Sequence, residues 1–101
     1  MDTTTLRTFI ALAQIKNFTK TAQQLFVAQS TVTNRIRDLE MELGVPLFIR
    51  SHKQVDLTAS GQKFLDYAQR FVSLELTALQ DIQASPTYAQ KVNIGTTNTI
   101  Y

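Results

Sequence analysis

Residues 18–40 read FTKTAQQLFVAQSTVTNRIRDLE, which sets two short helices almost end to end. One apolar-periodic run closes near Leu25 and the next opens by about Ala28, with barely a turn of chain between them. Neither run buries a core by itself, because short helices take their stability from packing an apolar face on neighbours. In the second run Val32, Ile36, Leu39 and Leu43 fall at i, i+4, i+7 and i+11, a single inward stripe. Ser30, Thr33, Asn34 and Arg37 take the outer side, with Gln29 in the first turn. A bracing helix joined tightly to one with a polar outer face is the pattern of a helix-turn-helix.

Working outward, Leu6, Phe9, Ile10 and Ala13 repeat at helical spacing and predict a helix over residues 3–15. Asp2 is its expected cap, its charge suiting the positive helix end. Thr19 is the expected cap of the second helix, which turns Ala22 and Leu25 inward. After the third helix, Gly44 takes the left-handed terminal position and Pro46 disfavours helical geometry at Val45. The period then shortens. LFIR and QVDLT bracket SHK and predict a two-stranded hairpin over about residues 47–57, although its turn lacks Gly or Asn-Gly.

Thr58 is the expected cap of a long helix over residues 59–84, with Gly61 tolerated in its first turn. Its apolar residues spread too widely for one narrow stripe. Phe64, Ala68, Phe71, Val72 and Leu79 are expected to meet a second copy of the helix, while Leu65 and Tyr67 pack elsewhere. The repeat is not a clean heptad. Pro86 ends the helix, and KVNIG beyond it reads as a strand. The chain thus divides into a winged helix-turn-helix (three helices and a hairpin wing) over 1–58, a linker helix over 59–84, and a hinge with one strand over 85–101.

Composition narrows the function. With 101 residues and no cysteine, disulfides and thiolate metal sites are excluded. MDTTTLRTF lacks the basic and apolar regions of a secretory signal, and no apolar run reaches bilayer-spanning length, so a soluble cytoplasmic protein is expected, with no membrane partner. The net charge is only +2, but eight Lys or Arg face five acids in residues 1–63, against two facing three beyond. His52 is the only histidine and falls at the hairpin tip. A metal site or a nucleophile–base pair has no second member there, so no enzyme activity is expected.

The polar outer face of the third helix has a chemical reading. The DNA major groove admits one α-helix and presents a distinct donor–acceptor pattern for each base pair. Gln29 and Asn34 carry amides suited to adenine, Thr33 offers a hydroxyl and a methyl, and Arg35 and Arg37 suit phosphates or guanine. The rival reading is a winged-helix module that binds proteins through its long apolar helix and has no DNA role.

The stretch LRTFIALAQIKNFTKTAQQLFVAQSTVTNRIRDLEMELGVPLFIR resembles the N-terminal domain of bacterial LysR-type transcriptional regulators. NFTKTA, VAQS, IRDLEMELGVPLF and LTASG carry the likeness in order, and VNIG is similar to the first strand of that family's effector domain. The resemblance implies that Gln29, Ser30, Thr33 and Asn34 face bases, that Thr19 and Arg37 meet phosphates, and that Lys53 lies at the wing; His52, from its place at the hairpin tip, is a further candidate to touch DNA there. It implies a homodimer through the linker helix, possible assembly to a tetramer at full length, and a small-molecule inducer bound by a larger C-terminal domain. Thr96, Thr97 and Thr99 would begin that domain, so the chain is expected to be a fragment needing no cofactor of its own. Three departures stand out: Ala28 for a Ser or Thr cap, Ser30 for a proline, and Asn34 for an arginine.

Overall fold

Asp2 accepts the Thr5 N–H at 2.8 Å and starts α1 (Thr3–Ile15), as the sequence predicts. In this computed structural model, which describes residues 1–51 and 54–84, there follow α2 (Phe18–Leu25), α3 (Gln29–Leu43), β1 (Phe48–Arg50), β2 (Val55–Leu57) and α4 (Ala59–Gln83). The expected strand in KVNIG, Thr96, Thr97, Thr99, His52 and Lys53 lie outside the described residues.

The cap of α2 is Asn17, not Thr19: its side chain accepts the Lys20 N–H at 2.8 Å, and Thr19 sits inside the first turn. Starting at Phe18 brings Phe18 onto the same core as Ala22, with Thr21 buried beside it, while Leu25, expected inward, is half-buried outside that core. The turn to α3 is made by Phe26 in the left-handed region, with φ 60°. Val27 N–H then donates to the Ala22 carbonyl at 3.1 Å, folding the chain back so that Val27 packs on the core.

Val32, Ile36 and Leu39 of α3 are buried against Leu6, Phe9, Leu12 and Ala13 of α1. Each large side chain removed from water contributes about 1.5–3 kcal/mol, so this contact orders α3. Phe9 is the hub: its ring meets Phe48 at 5.4 Å in a tilted arrangement and Phe64 at 5.3 Å edge-on. One side chain thereby joins α1, the hairpin and α4.

α3 ends at Gly44 with φ 78°, the left-handed residue anticipated there. Glu40 then reaches forward, accepting the N–H of Leu47 at 2.7 Å and of Phe48 at 3.3 Å through one oxygen. This carboxylate satisfies the amides at the entry to the wing and fixes the hairpin to α3. The strands pair antiparallel, Phe48 with Leu57 and Arg50 with Val55.

Thr58 closes the hairpin onto α4. Its hydroxyl donates to the Pro46 carbonyl at 2.7 Å and accepts the Gly61 N–H at 2.9 Å, while its own N–H donates to the Leu47 carbonyl at 2.9 Å. Gly61 is required rather than tolerated: a Cβ there would stand 2.1 Å from the Leu47 carbonyl oxygen and 2.9 Å from Leu57 Cδ2. Among the described residues no helix is long and apolar enough to cross a membrane.

Candidate nucleic-acid interface

α3 is anchored by its buried stripe, so its opposite side is fixed in direction. Gln29, Ser30 and Asn34 are exposed there, and Thr33 is half-buried at their edge. Two of these side chains are already oriented. Thr19 Oγ1 donates to Gln29 Oε1 at 3.2 Å, and Arg37 Nη1 donates to Asn34 Oδ1 at 3.2 Å. Each amide keeps its NH₂ group and one carbonyl lone pair for a base edge, which is what bidentate pairing to adenine needs. Thr19 and Arg37, expected at phosphates, thus also position Gln29 and Asn34, a pairing not evident from sequence spacing.

Arg35 lies apart from this group. It is half-buried, and its Nη1 donates to Thr8 Oγ1 at 3.1 Å on α1. The Thr8 hydroxyl in turn donates to the Thr4 carbonyl at 2.9 Å. Arg35 thus ties α3 to α1 through one of its donors, and its expected phosphate contact would have to use the others. Its position, three residues after Val32 and four before Leu39 of the inward stripe, turns the side chain toward the packed side.

Ala28 has no side-chain hydrogen bond at the start of α3, so the first-turn amides are without a side-chain acceptor. Phe26 beside it is 94% exposed. Lys16 Nζ, at the left-handed end of α1, meets Asp56 of β2 at 3.1 Å and holds the wing against the helices. At the N-terminus, the Asp2 carboxyl is held below its usual range, chiefly by the Thr5 backbone N–H.

The expected dimer residues divide into two sets. Ala68 has no exposed surface, and Phe64 and Val72 pack on the same core as Phe9. These three pack α4 on its own domain; Ala68 has no surface left for a partner helix, which corrects its assignment there, while Phe64 and Val72 remain half-buried. Leu65 packs inward with them, whereas Tyr67, expected to pack elsewhere, is exposed. Phe71 and Leu79 are exposed, and Leu74, Leu76 and Ile82 join them on the second half of α4. A groove of about 340 Å³ between the start of α1 and α4, lined by Met1, Leu6, Phe71, Leu74 and Ala78 among others, adjoins this surface.

Comparison with known proteins agrees with this architecture. The family model described as bacterial regulatory helix-turn-helix protein, lysR family, matches residues 3–62. The chain is 40% identical over 82 residues to the HTH-type transcriptional regulator HdfR of Escherichia coli, covering 81% of this chain and 29% of HdfR. It is similar to the DNA-binding domain of CbnR solved as a DNA complex, at 37% identity and a TM-score of 0.81, covering 83% of this chain and 97% of that one. The BenM DNA-binding domain in complex with benA site 1 DNA is similar at 32% identity and a TM-score of 0.78, with 82% and 96% covered. Against full-length CbnR with its target DNA, the chain spans 29% of that protein.

Proposed function

The chain belongs to the lysR family of bacterial regulatory helix-turn-helix proteins, and from that premise we propose that it docks on duplex DNA as a homodimer and reads a near-palindromic operator. What supports the reading is the outer face of α3, where Gln29, Ser30 and Asn34 stand exposed on a helix fixed by its buried side. A two-fold dimer sets two such helices about one turn of DNA apart, on the same side of the duplex. The exposed apolar residues of α4 are the surface that pairing would cover.

In this reading Gln29, Ser30, Thr33 and Asn34 contact base edges, and Thr19 and Arg37 serve as phosphate contacts while orienting them. Lys53 and His52 act at the wing. Base contacts specify the site, and phosphate contacts position the domain and supply much of the affinity. Asn34 in place of an arginine lowers the charge of the reading face, so this operator differs from those of arginine-bearing relatives. A small-molecule inducer bound outside these residues, further assembly to a tetramer at full length, a cytoplasmic location and the absence of catalysis complete the proposal.

Selection from a random duplex pool tests it. The purified chain is expected to enrich an interrupted, near-palindromic motif. Recovery of DNA without a motif would overturn the sequence reading. Recovery of none at low salt, from folded protein, would favour the protein-binding module instead.

A further inference from the structure

Arg50 ends β1 and stands at the junction of the wing with α2. Strand alternation puts it on the same face as buried Phe48, and its neighbour across the ladder, Val55, also packs inward. Arg50 therefore points toward the helices, but it lies past the edge of the core and remains exposed. There its guanidinium carbon sits 4.9 Å above the ring of Phe18, the first residue of α2. Phe18 is half-buried and packs its other contacts on the core, so the ring is a fixed platform.

The contrast with other cations is informative. Arg7, Lys16 and Arg70 each meet a carboxylate, and Arg35 and Arg37 donate to side-chain oxygens. Among the described residues Arg50, Lys20 and Lys63 have neither kind of partner, and of these three only Arg50 stands over an aromatic ring; Arg70 also lies over a ring, that of Tyr67 at 5.7 Å, but is paired with Asp66. Stacking on a ring fixes the guanidinium plane while leaving its five N–H donors free for a planar, bidentate acceptor. A phosphate diester offers such an acceptor. Phe18 is also adjacent to Thr19, whose hydroxyl holds Gln29, so Arg50, Phe18, Thr19 and Gln29 form one line from the wing to the reading helix.

We propose that Arg50 is a DNA-phosphate contact at the wing–α2 junction, with Phe18 as the residue that positions it. The inference rests on the DNA-binding reading above and extends it to residues that reading does not use. Arg50 carries no base preference: it registers the domain on the backbone and couples wing docking to the placement of Gln29. Lysine at position 50 retains the charge but not the planar fork, so it replaces arginine only in part.

The test measures binding of the purified chain to a selected duplex and a random duplex across a salt series, with thermal unfolding as the folding control. Arg50→Ala is expected to weaken both duplexes alike, on the order of tenfold, and to flatten the log–log salt slope by about 0.9 per protomer. Arg50→Lys is expected to keep the slope while recovering only part of the affinity. Phe18→Leu keeps an apolar side chain on the core and is expected to weaken both duplexes about threefold in the wild-type background, but not in the Arg50→Ala background. A merely structural role for Phe18 would weaken binding equally in both backgrounds and would remove it from the proposal. If the wild-type chain binds and Arg50→Ala matches it in affinity and slope, the phosphate assignment fails while the DNA reading stands. Absence of salt-sensitive binding by the wild type would overturn both.

Discussion

α3 and α4 are both amphipathic, yet they finish folding in opposite conditions. α3 buries Val32, Ile36 and Leu39 completely and presents chiefly polar groups along its outer face. α4 buries Gly61 and Ala68, half-buries Phe64, Leu65 and Val72, and leaves Phe71, Leu74, Leu76, Leu79 and Ile82 in water. The difference separates two kinds of recognition. A polar face on an anchored helix suits a hydrated, hydrogen-bonding surface such as a base-pair edge. Exposed apolar side chains gathered on one half of a helix cost solubility unless another apolar surface covers them. In the proposed reading, one helix of the chain therefore serves nucleic acid and the other a second copy of the chain.

The largest effect that sharpens this contrast is expected at Leu79. Leu79→Asp places a carboxylate from each protomer in the dimer contact and should weaken association by on the order of 4 kcal/mol. Because Leu79 is exposed in the single chain, monomer unfolding should shift by no more than about 0.5 kcal/mol. Sedimentation and thermal melts separate the two quantities, and an unchanged dimer would remove this half of α4 from the interface.

Gly61 comes next. Helix propensity alone predicts that Gly61→Ala stabilises the chain by about 1 kcal/mol. The close approach of α4 to the Leu47 carbonyl predicts the opposite, a loss of about 3 kcal/mol as backbone is forced apart. Denaturant melts decide between them by sign, and a gain in stability would mean that the hairpin does not pin the start of α4.

Gly61 also marks what a sequence reading misses. Local signals were legible: the α1 bounds, the Asp2 and Thr58 caps, the Gly44 terminus and the inward stripe of α3 all follow from spacing and residue type. Each is decided within a few residues. Contacts between distant residues were not legible, and they account for the corrections. Asn17 rather than Thr19 caps α2 because Phe18 must enter the core. Arg35 binds Thr8 across 27 positions. Glu40 ties α3 to the wing although nothing in its own helix calls for a partner there. On α4 the periodicity identifies an apolar helix but not which residues its own domain claims: Ala68 is taken entirely, and Phe64 and Val72 in part.

The exposed residues of α3 were nameable because a buried stripe dictates the side opposite to it. Their mutual contacts were not. The Thr19–Gln29 and Arg37–Asn34 bonds depend on side-chain reach between α2 and α3 and within α3. They give the outer face of α3 a defined orientation, which in the proposed reading lowers the ordering cost of docking on DNA.

The most direct test of the account is the affinity of Gln29→Ala for the selected operator and for random duplex at one salt concentration. The account predicts a loss of about 1–3 kcal/mol on the operator and almost none on random DNA, because Gln29 reads a base edge. Equal losses on both duplexes would contradict it, placing Gln29 among the phosphate contacts and the source of specificity elsewhere on the domain.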